Sequence, residues 1–140
     1  RQGLARVGLL DFQDAVGGHP VYDLVSLIDD ARRDVSAKVE IATRARLRAA
    51  LGQDAESFDR AFAIYGCQRG LRILGIFARL CLVGGKRHYV DMMPRIWRNL
   101  TTRLEHPALA RARAALAVLP PPDPDLMQRL KDQCGRFPRP

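Results

Sequence analysis

A chain of 140 residues, 47% of them apolar, can build one domain with a real core and is too apolar for a disordered segment. No apolar run approaches the ~20 residues that span a bilayer, and the first residues do not resemble a signal peptide, so no membrane partner is expected. The net charge of +8 would permit a polyanion, but the arginines are dispersed along helical segments with no basic block and little aromatic interleaving, which argues for a solvated surface and against nucleic acid.

Val7 to Leu10 is a short apolar run ending at Asp11 and reads as a strand. The breakers from Asp14 to Pro20 keep the following stretch irregular. From Val21 the period becomes helical, with Val21, Leu24, Val25, Ile28 and Ala31 on one face. A second helix is predicted from a Ser36 cap to Leu51, with Gly52 as its stop. A long helix follows Asp54, carries Phe58, Phe62, Tyr65, Ile73, Ile76 and Leu80 on one stripe, and ends at Gly84-Gly85. Between Lys86 and Leu104, Pro94 divides the helical pattern into a short helix and a second one with Pro94 in its first turn. His106-Pro107 opens another helix ending near Leu119. Pro120 to Pro122 form a stiff connector before a last short helix within Pro124 to Cys134. The division is therefore a body over residues 1–119 and a proline-rich connector with a terminal helix over 120–140. The start at Arg1, without Met and running at once into a strand-like segment that has no partner strand, leads to the expectation of a piece of a longer chain. An unpartnered strand also predicts self-association through that N-terminal edge.

Asp11 lies where an apolar strand gives way to an irregular loop, with Asp14 three residues on. Such a pair can hold a hard cation such as Mg²⁺ together with phosphate oxygens, or can simply cap and turn the chain. Arg69 falls in the centre of the apolar stripe of the long helix. A buried guanidinium must be paired or face a polar cleft, which leaves three readings: an ion pair with Asp23 or Asp30 of the first helix, contact with a phosphate or sugar, or a break in the helix near Gly66 or Gly70. His19, between Gly18 and Pro20, reads as a turn residue, His106 as a helix cap, and Tyr89 and Trp97 as core. Cys67, Cys81 and Cys134 are odd in number and not closely spaced, so free, mostly buried thiols in a reducing cytoplasm are expected. No nucleophile elbow, Walker-type loop, zinc spacing or dinucleotide fingerprint occurs.

The segment Leu10-Asp11-Phe12-x-Asp14-Ala15, followed by Gly18-His19-Pro20-x-Tyr22-Asp23-Leu24, resembles the metal-binding segment of the aminoglycoside phosphotransferase and choline kinase superfamily. Further stretches are similar to a bacterial subgroup that includes kinases acting on the anomeric hydroxyl of N-acetylmuramate and N-acetylglucosamine during cell-wall recycling. These are Gln68-Arg69-x-Leu71-Arg72-x-Leu74-Gly75-x-Phe77-x-Arg79-Leu80, Lys86-x-x-Tyr89 and Pro94-Arg95-x-Trp97. The resemblance implies that Asp11 holds the Mg²⁺ bridging the ATP phosphates, that Asp14 is a further metal- or nucleotide-site candidate, and that Asp23 supports the catalytic loop from behind. The family's His-Gly-Asp…Asn loop, which lies just before the metal strand, does not occur in this sequence. No catalytic residue is therefore expected within it, and the base is expected upstream of Arg1.

The fold expected is mainly α: the C-terminal lobe of a protein-kinase-like α+β fold, a helical bundle with a short β region at its N-terminus. The function expected is part of an ATP- and Mg²⁺-dependent phosphotransferase acting on a small-molecule amino sugar, with Arg69 as a candidate for the substrate cleft, and not catalytic alone. The rival is a non-catalytic helical interaction module that keeps the kinase-like fold.

Overall fold

The computed structural model describes residues 3 and 17–138. The strand expected at Val7–Leu10, the self-association edge, and Asp11 and Asp14 lie outside the described residues. So does Arg1, and with it the expectation of a catalytic base upstream of that residue. Among the described residues there are helices and no strand.

Six α-helices follow the sequence signals closely: α1 (Val21–Ile28), α2 (Ala37–Leu51), α3 (Ala55–Leu82), α4 (Met93–Leu104), α5 (Ala110–Leu116) and α6 (Pro124–Asp132). Short 3₁₀ turns at Arg87–Met92 and Pro107–Leu109 introduce α4 and α5. The caps explain the boundaries. Ser36 accepts a hydrogen bond from the Val39 amide, Asp54 from Ser57 and Asp123 from Leu126, each satisfying an amide that the helix leaves without a partner. Gly52 ends α2 at φ 62°, a left-handed conformation that only glycine adopts without a Cβ penalty. Pro94 sits in the first turn of α4, where its missing N–H costs nothing, and the His106 side chain caps the next turn by accepting from the Ala108 amide at 3.2 Å. The helix expected to reach Leu119 stops at Leu116, and the chain leaves through a turn in which the Leu119 amide bonds the Leu116 carbonyl.

The 28-residue α3 is the spine, and three apolar clusters are strung along it. Near its start Phe58 and Phe62 meet Val21, Val25 and Ile28 of α1. In its middle Ala63 and Cys67 meet Leu100 and Leu104 of α4, with Leu109 beyond. Toward its end Phe77 and Cys81 meet Val90, Met93 and Ile96, with Ala31 closing the side. Met127, Leu130 and Cys134 bring α6 onto this last cluster. The C-terminal segment is tied down further: the Gly135 amide donates to the Cys81 carbonyl at 2.9 Å, and the Phe137 amide donates to that of Leu82 at 3.1 Å. The second bond satisfies a carbonyl that the end of α3 leaves open, while the Cys81 carbonyl also accepts from the Gly85 amide at 3.0 Å.

The break allowed for near Gly66 or Gly70 does not occur. Gly66 instead makes room for the Arg103 and Asp29 side chains, since a Cβ there would stand 2.8 Å from Cγ of Arg103 and 3.3 Å from Oδ2 of Asp29, and Gly70 lets α4 come close, its Cβ position 3.2 Å from Cβ of Leu100. By contrast, α2 has no buried residue. Leu47 and Leu51 touch the first cluster from outside, and ion pairs from Arg44 to Asp59 and from Glu40 to Arg103 join the helix to α3 and α4.

Candidate functional site

The segment that enters α1 forms one wall of a cavity. No standard cap residue precedes this helix. Pro20 occupies the cap position, and the His19 imidazole does the capping work, its Nδ1 accepting from the Val21 amide at 3.2 Å. That places His19 against Tyr65 of α3, ring centroids 5.3 Å apart and planes inclined by 30°, while Tyr22 meets Tyr65 edge-on at 6.2 Å. The described residues lining the cavity, of about 460 Å³, are Gly18, His19, Pro20, Tyr22, Asp23, Tyr65 and Arg72. It is aromatic on its walls, with one exposed carboxylate and one exposed guanidinium at its edge. That size and mix suit a small polar molecule with an apolar face.

The residues singled out from sequence fall unevenly around it. Asp23 stands on the first turn of α1, exposed, and lines the cavity. His19 is the turn residue expected. Arg69 lies half-buried on α3, its guanidinium carbon 5.9 Å from the centre of the Tyr22 ring. The ion pair expected from Arg69 to Asp23 or Asp30 is not formed. Asp30 is engaged by Arg32 and Arg33 of its own turn, and Asp23 points to the cavity edge from a solvent-facing position. The Nε of Arg69 is buried and has no hydrogen-bond partner among the described residues. Asp11 and Asp14 cannot be placed relative to these groups, being outside the described residues. Among the described residues no three His, Cys, Asp or Glu side chains converge as metal ligands would.

The buried ion pair that the helical pattern demanded does exist, between other residues. Asp29, just past the end of α1, is 6% exposed and accepts from Arg103 of α4 at 2.8 Å and 3.3 Å. Arg103 also donates to Glu40 at 3.0 Å, Glu40 pairs with Arg44, and Arg44 reaches Asp59 at 2.8 Å. Both guanidiniums lie against Phe62, 4.4 Å and 4.6 Å from its centroid. Burial works against the charge on Arg103, but the Asp29 hydrogen bonds and the charges of Asp29 and Glu40 outweigh it and raise its pKa above the ordinary value. The signal was in the sequence. Asp29 continues the apolar face of α1 four residues after Val25, and Arg103 continues that of α4 three residues after Leu100. A second, surface cluster joins Asp34 to Arg95 and Arg98 at 3.0 Å and 2.7 Å, and pins the loop between α1 and α2 to α4.

The three thiols are free. Cys67 and Cys81 are buried and Cys134 half-buried, as expected. Burial, with the neighbouring Cys134, pushes the Cys81 thiol up to about 11. Tyr89 and Trp97 pack against the apolar clusters, also as expected.

Comparison with known proteins gives the class first. Residues 4–63, which include Asp11, Asp14, Asp23 and the start of α3, match the phosphotransferase enzyme family, so the chain carries a domain segment of that family. Relatives that the chain matches bear the name of sugar kinases. The chain is 47% identical over 115 residues to the N-acetylmuramate/N-acetylglucosamine kinase of Caulobacter vibrioides, a match that takes in 81% of this chain and 32% of that protein. It is 38% identical over 121 residues to the enzyme of the same name from Pseudomonas aeruginosa, covering 81% of this chain and 36% of the relative. The Neisseria meningitidis serogroup B enzyme of that name is 42% identical over 97 residues, covering 64% and 29%. The chain thus spans about a third of the length of the curated relatives it matches. Among the described residues, no helix is long and apolar enough to cross a membrane.

Proposed function

We propose that this chain supplies the metal-binding segment and the helical acceptor-side body of an ATP-dependent kinase that phosphorylates a hydroxyl of an amino sugar, within the C-terminal lobe of a protein-kinase-like fold. The observation that carries this reading is the 47% identity to a kinase of that kind across most of the chain, with the Asp11-Phe12-x-Asp14 and Tyr22-Asp23-Leu24 motifs in order inside the family match. In such a reaction an acceptor oxygen bonds to the γ-phosphorus, the bond to the β–γ bridging oxygen breaks, and ADP leaves. Catalysis is mostly positioning and charge stabilisation, so each part must be held in register.

Asp11 would hold the Mg²⁺ that neutralises the phosphate charge, with Asp14 as an added oxygen donor. Asp23, fixed at the mouth of α1 by the His19 cap, would support the loop that carries the catalytic base. In such a reaction the proton of the acceptor hydroxyl passes to a base, and the His-Gly-Asp…Asn pattern that carries it in the family does not occur within this sequence. The chain by itself therefore binds and orients but does not catalyse. Free thiols fit a reducing cytoplasm.

A chimaera tests this directly: the homologous segment of the Caulobacter enzyme is replaced by this chain. Mg²⁺-dependent ATP consumption with N-acetylmuramate or N-acetylglucosamine is expected, and Asp11→Asn should nearly abolish it without unfolding the protein. A folded but inactive chimaera would favour the non-catalytic helical module. An active Asp11→Asn variant would remove Asp11 from the metal site.

A further inference from the structure

Cys81 and Cys134 meet at the end of α3. The Cys134 thiol donates to the Cys81 carbonyl at 3.2 Å, and the Cys81 thiol donates at 3.4 Å to the carbonyl of Leu130, one turn before Cys134. The Gly135 amide reaches the same Cys81 carbonyl at 2.9 Å, so standard backbone dimensions keep the two Cα atoms less than about 8 Å apart. A disulfide spans roughly 4.4–6.8 Å between Cα atoms, so closing the pair asks for a shift of at most about 1 Å. The thiols also act on each other. Burial, then the hydrogen bond and charge of Cys134, push the Cys81 thiol up to about 11. Cys67 is excluded by distance, because the 14 positions of α3 from 67 to 81 hold it about 21 Å away. The segment that carries Cys134 is lightly held. No residue of α6 is buried, and the helix rests on the cluster around Phe77 and Cys81 through Met127 and Leu130, and on Asp91 through Lys131. A covalent tie matters most where packing alone leaves a segment free to open.

We propose that Cys81 and Cys134 are a reversible thiol pair, oxidised to a disulfide by hydrogen peroxide, that locks α6 onto the end of α3. The inference goes beyond the kinase reading and does not depend on it. The half-buried Cys134 is the sulfur that peroxide reaches, whereas Cys81 is wholly buried. In the first step the Cys134 sulfur takes one oxygen of the peroxide, the O–O bond breaks, and water leaves a sulfenic acid behind. In the second the Cys81 sulfur gives up its proton and bonds to the Cys134 sulfur, while the S–O bond breaks and the departing hydroxide carries that proton away as water. Two thiols thus lose two electrons and two protons, and one peroxide becomes two waters. The contact of the pair offsets the low acidity of Cys81, because the attack needs no encounter between separate molecules. A dithiol reductant returns both thiols by exchange.

The experiment treats the reduced chain with hydrogen peroxide at neutral pH and reads thiols, mass, melting and amide exchange. Two of the three thiols should disappear together, with the mass of two hydrogen atoms lost. A non-reduced digest should hold the Cys81 and Cys134 peptides joined, with Cys67 still free, and dithiothreitol should restore all three thiols. Because the bond closes a loop of 53 positions, the oxidised chain should melt about 10 °C above the reduced one. The amides of α6 should exchange with solvent about tenfold more slowly. Cys134→Ser, at a half-buried position, should keep the other two thiols reduced and abolish both shifts. Cys81→Ala should leave Cys134 as a sulfenic acid that dimedone traps. An unaltered chain that stops at dimedone-reactive Cys134, forms disulfide-linked dimers, pairs Cys67, or keeps all three thiols would overturn the proposal. So would an oxidised chain that melts no higher than the reduced one, or whose α6 amides exchange as fast.

Discussion

Replacing Arg103 by Met should strongly destabilise the helical body. The side chains of Arg103 and Asp29 are only 10% and 8% exposed, so neither charge is screened by solvent. Met keeps the stem that passes Gly66 and lies on Phe62, but it removes both hydrogen bonds to Asp29 and the one to Glu40. Asp29 has no other side-chain partner among the described residues, so its carboxylate would be stranded. Breaking a buried pair in this way costs about 3–5 kcal/mol. A domain of this size has a total stability of roughly 5–15 kcal/mol, so the variant should be marginal, its melting temperature lower by on the order of 10 °C. The assay is urea denaturation followed by circular dichroism, with the midpoint and slope read separately to confirm that the transition stays two-state. Adding Asp29→Asn to the Met variant removes the stranded charge and should recover at least ~1 kcal/mol. A loss below ~1 kcal/mol for Arg103→Met, or a double variant no better than the single, would show that the pair does not hold α1 against α4.

Acid should weaken the fold at identifiable places. The Arg95 hydrogen bond, reinforced by the charges of Arg95 and Arg98, holds the Asp34 carboxyl below its ordinary pKa of 3.8. Partial burial opposes ionisation of Asp30, but hydrogen bonds from Arg32 outweigh it and lower that carboxyl too. Groups whose folded pKa is depressed contribute stability above about pH 4 and lose it as pH falls through the folded value, so urea midpoints should drop as pH falls below about 4. Asp34→Asn should flatten part of that drop, and a midpoint constant over this range would contradict the assignment. Cys81 should resist alkylation by iodoacetamide at pH 8 until the chain unfolds, because its thiol is buried and pushed up to about 11. The half-buried Cys134 should react first, and modification of native Cys81 at the Cys134 rate would refute this.

Local signals in the sequence determined the helices. Ser36, Asp54 and Asp123 cap through their own side chains, Gly52 stops α2 by conformation, and Pro94 starts α4, all interactions between residues a few positions apart. The apolar stripes likewise named most of the core, since helical period alone fixes which residues share a face. The family motif around Asp11 and Asp23 was also legible, because it is contiguous. Only the tertiary structure decided which charges meet. Sequence showed that Arg69 sat in an apolar stripe and that α1 offered acids, but the rotation of α1 on α3 turns Asp29 inward toward Arg103 and leaves Asp23 at the cavity edge. The glycines at 66 and 70 read as places where a helix could break. Against α4 they proved to be places where two helices come close. Pairing across 74 residues and the shape of the cavity depend on how helices pack on one another, and one-dimensional period carries no information about that angle.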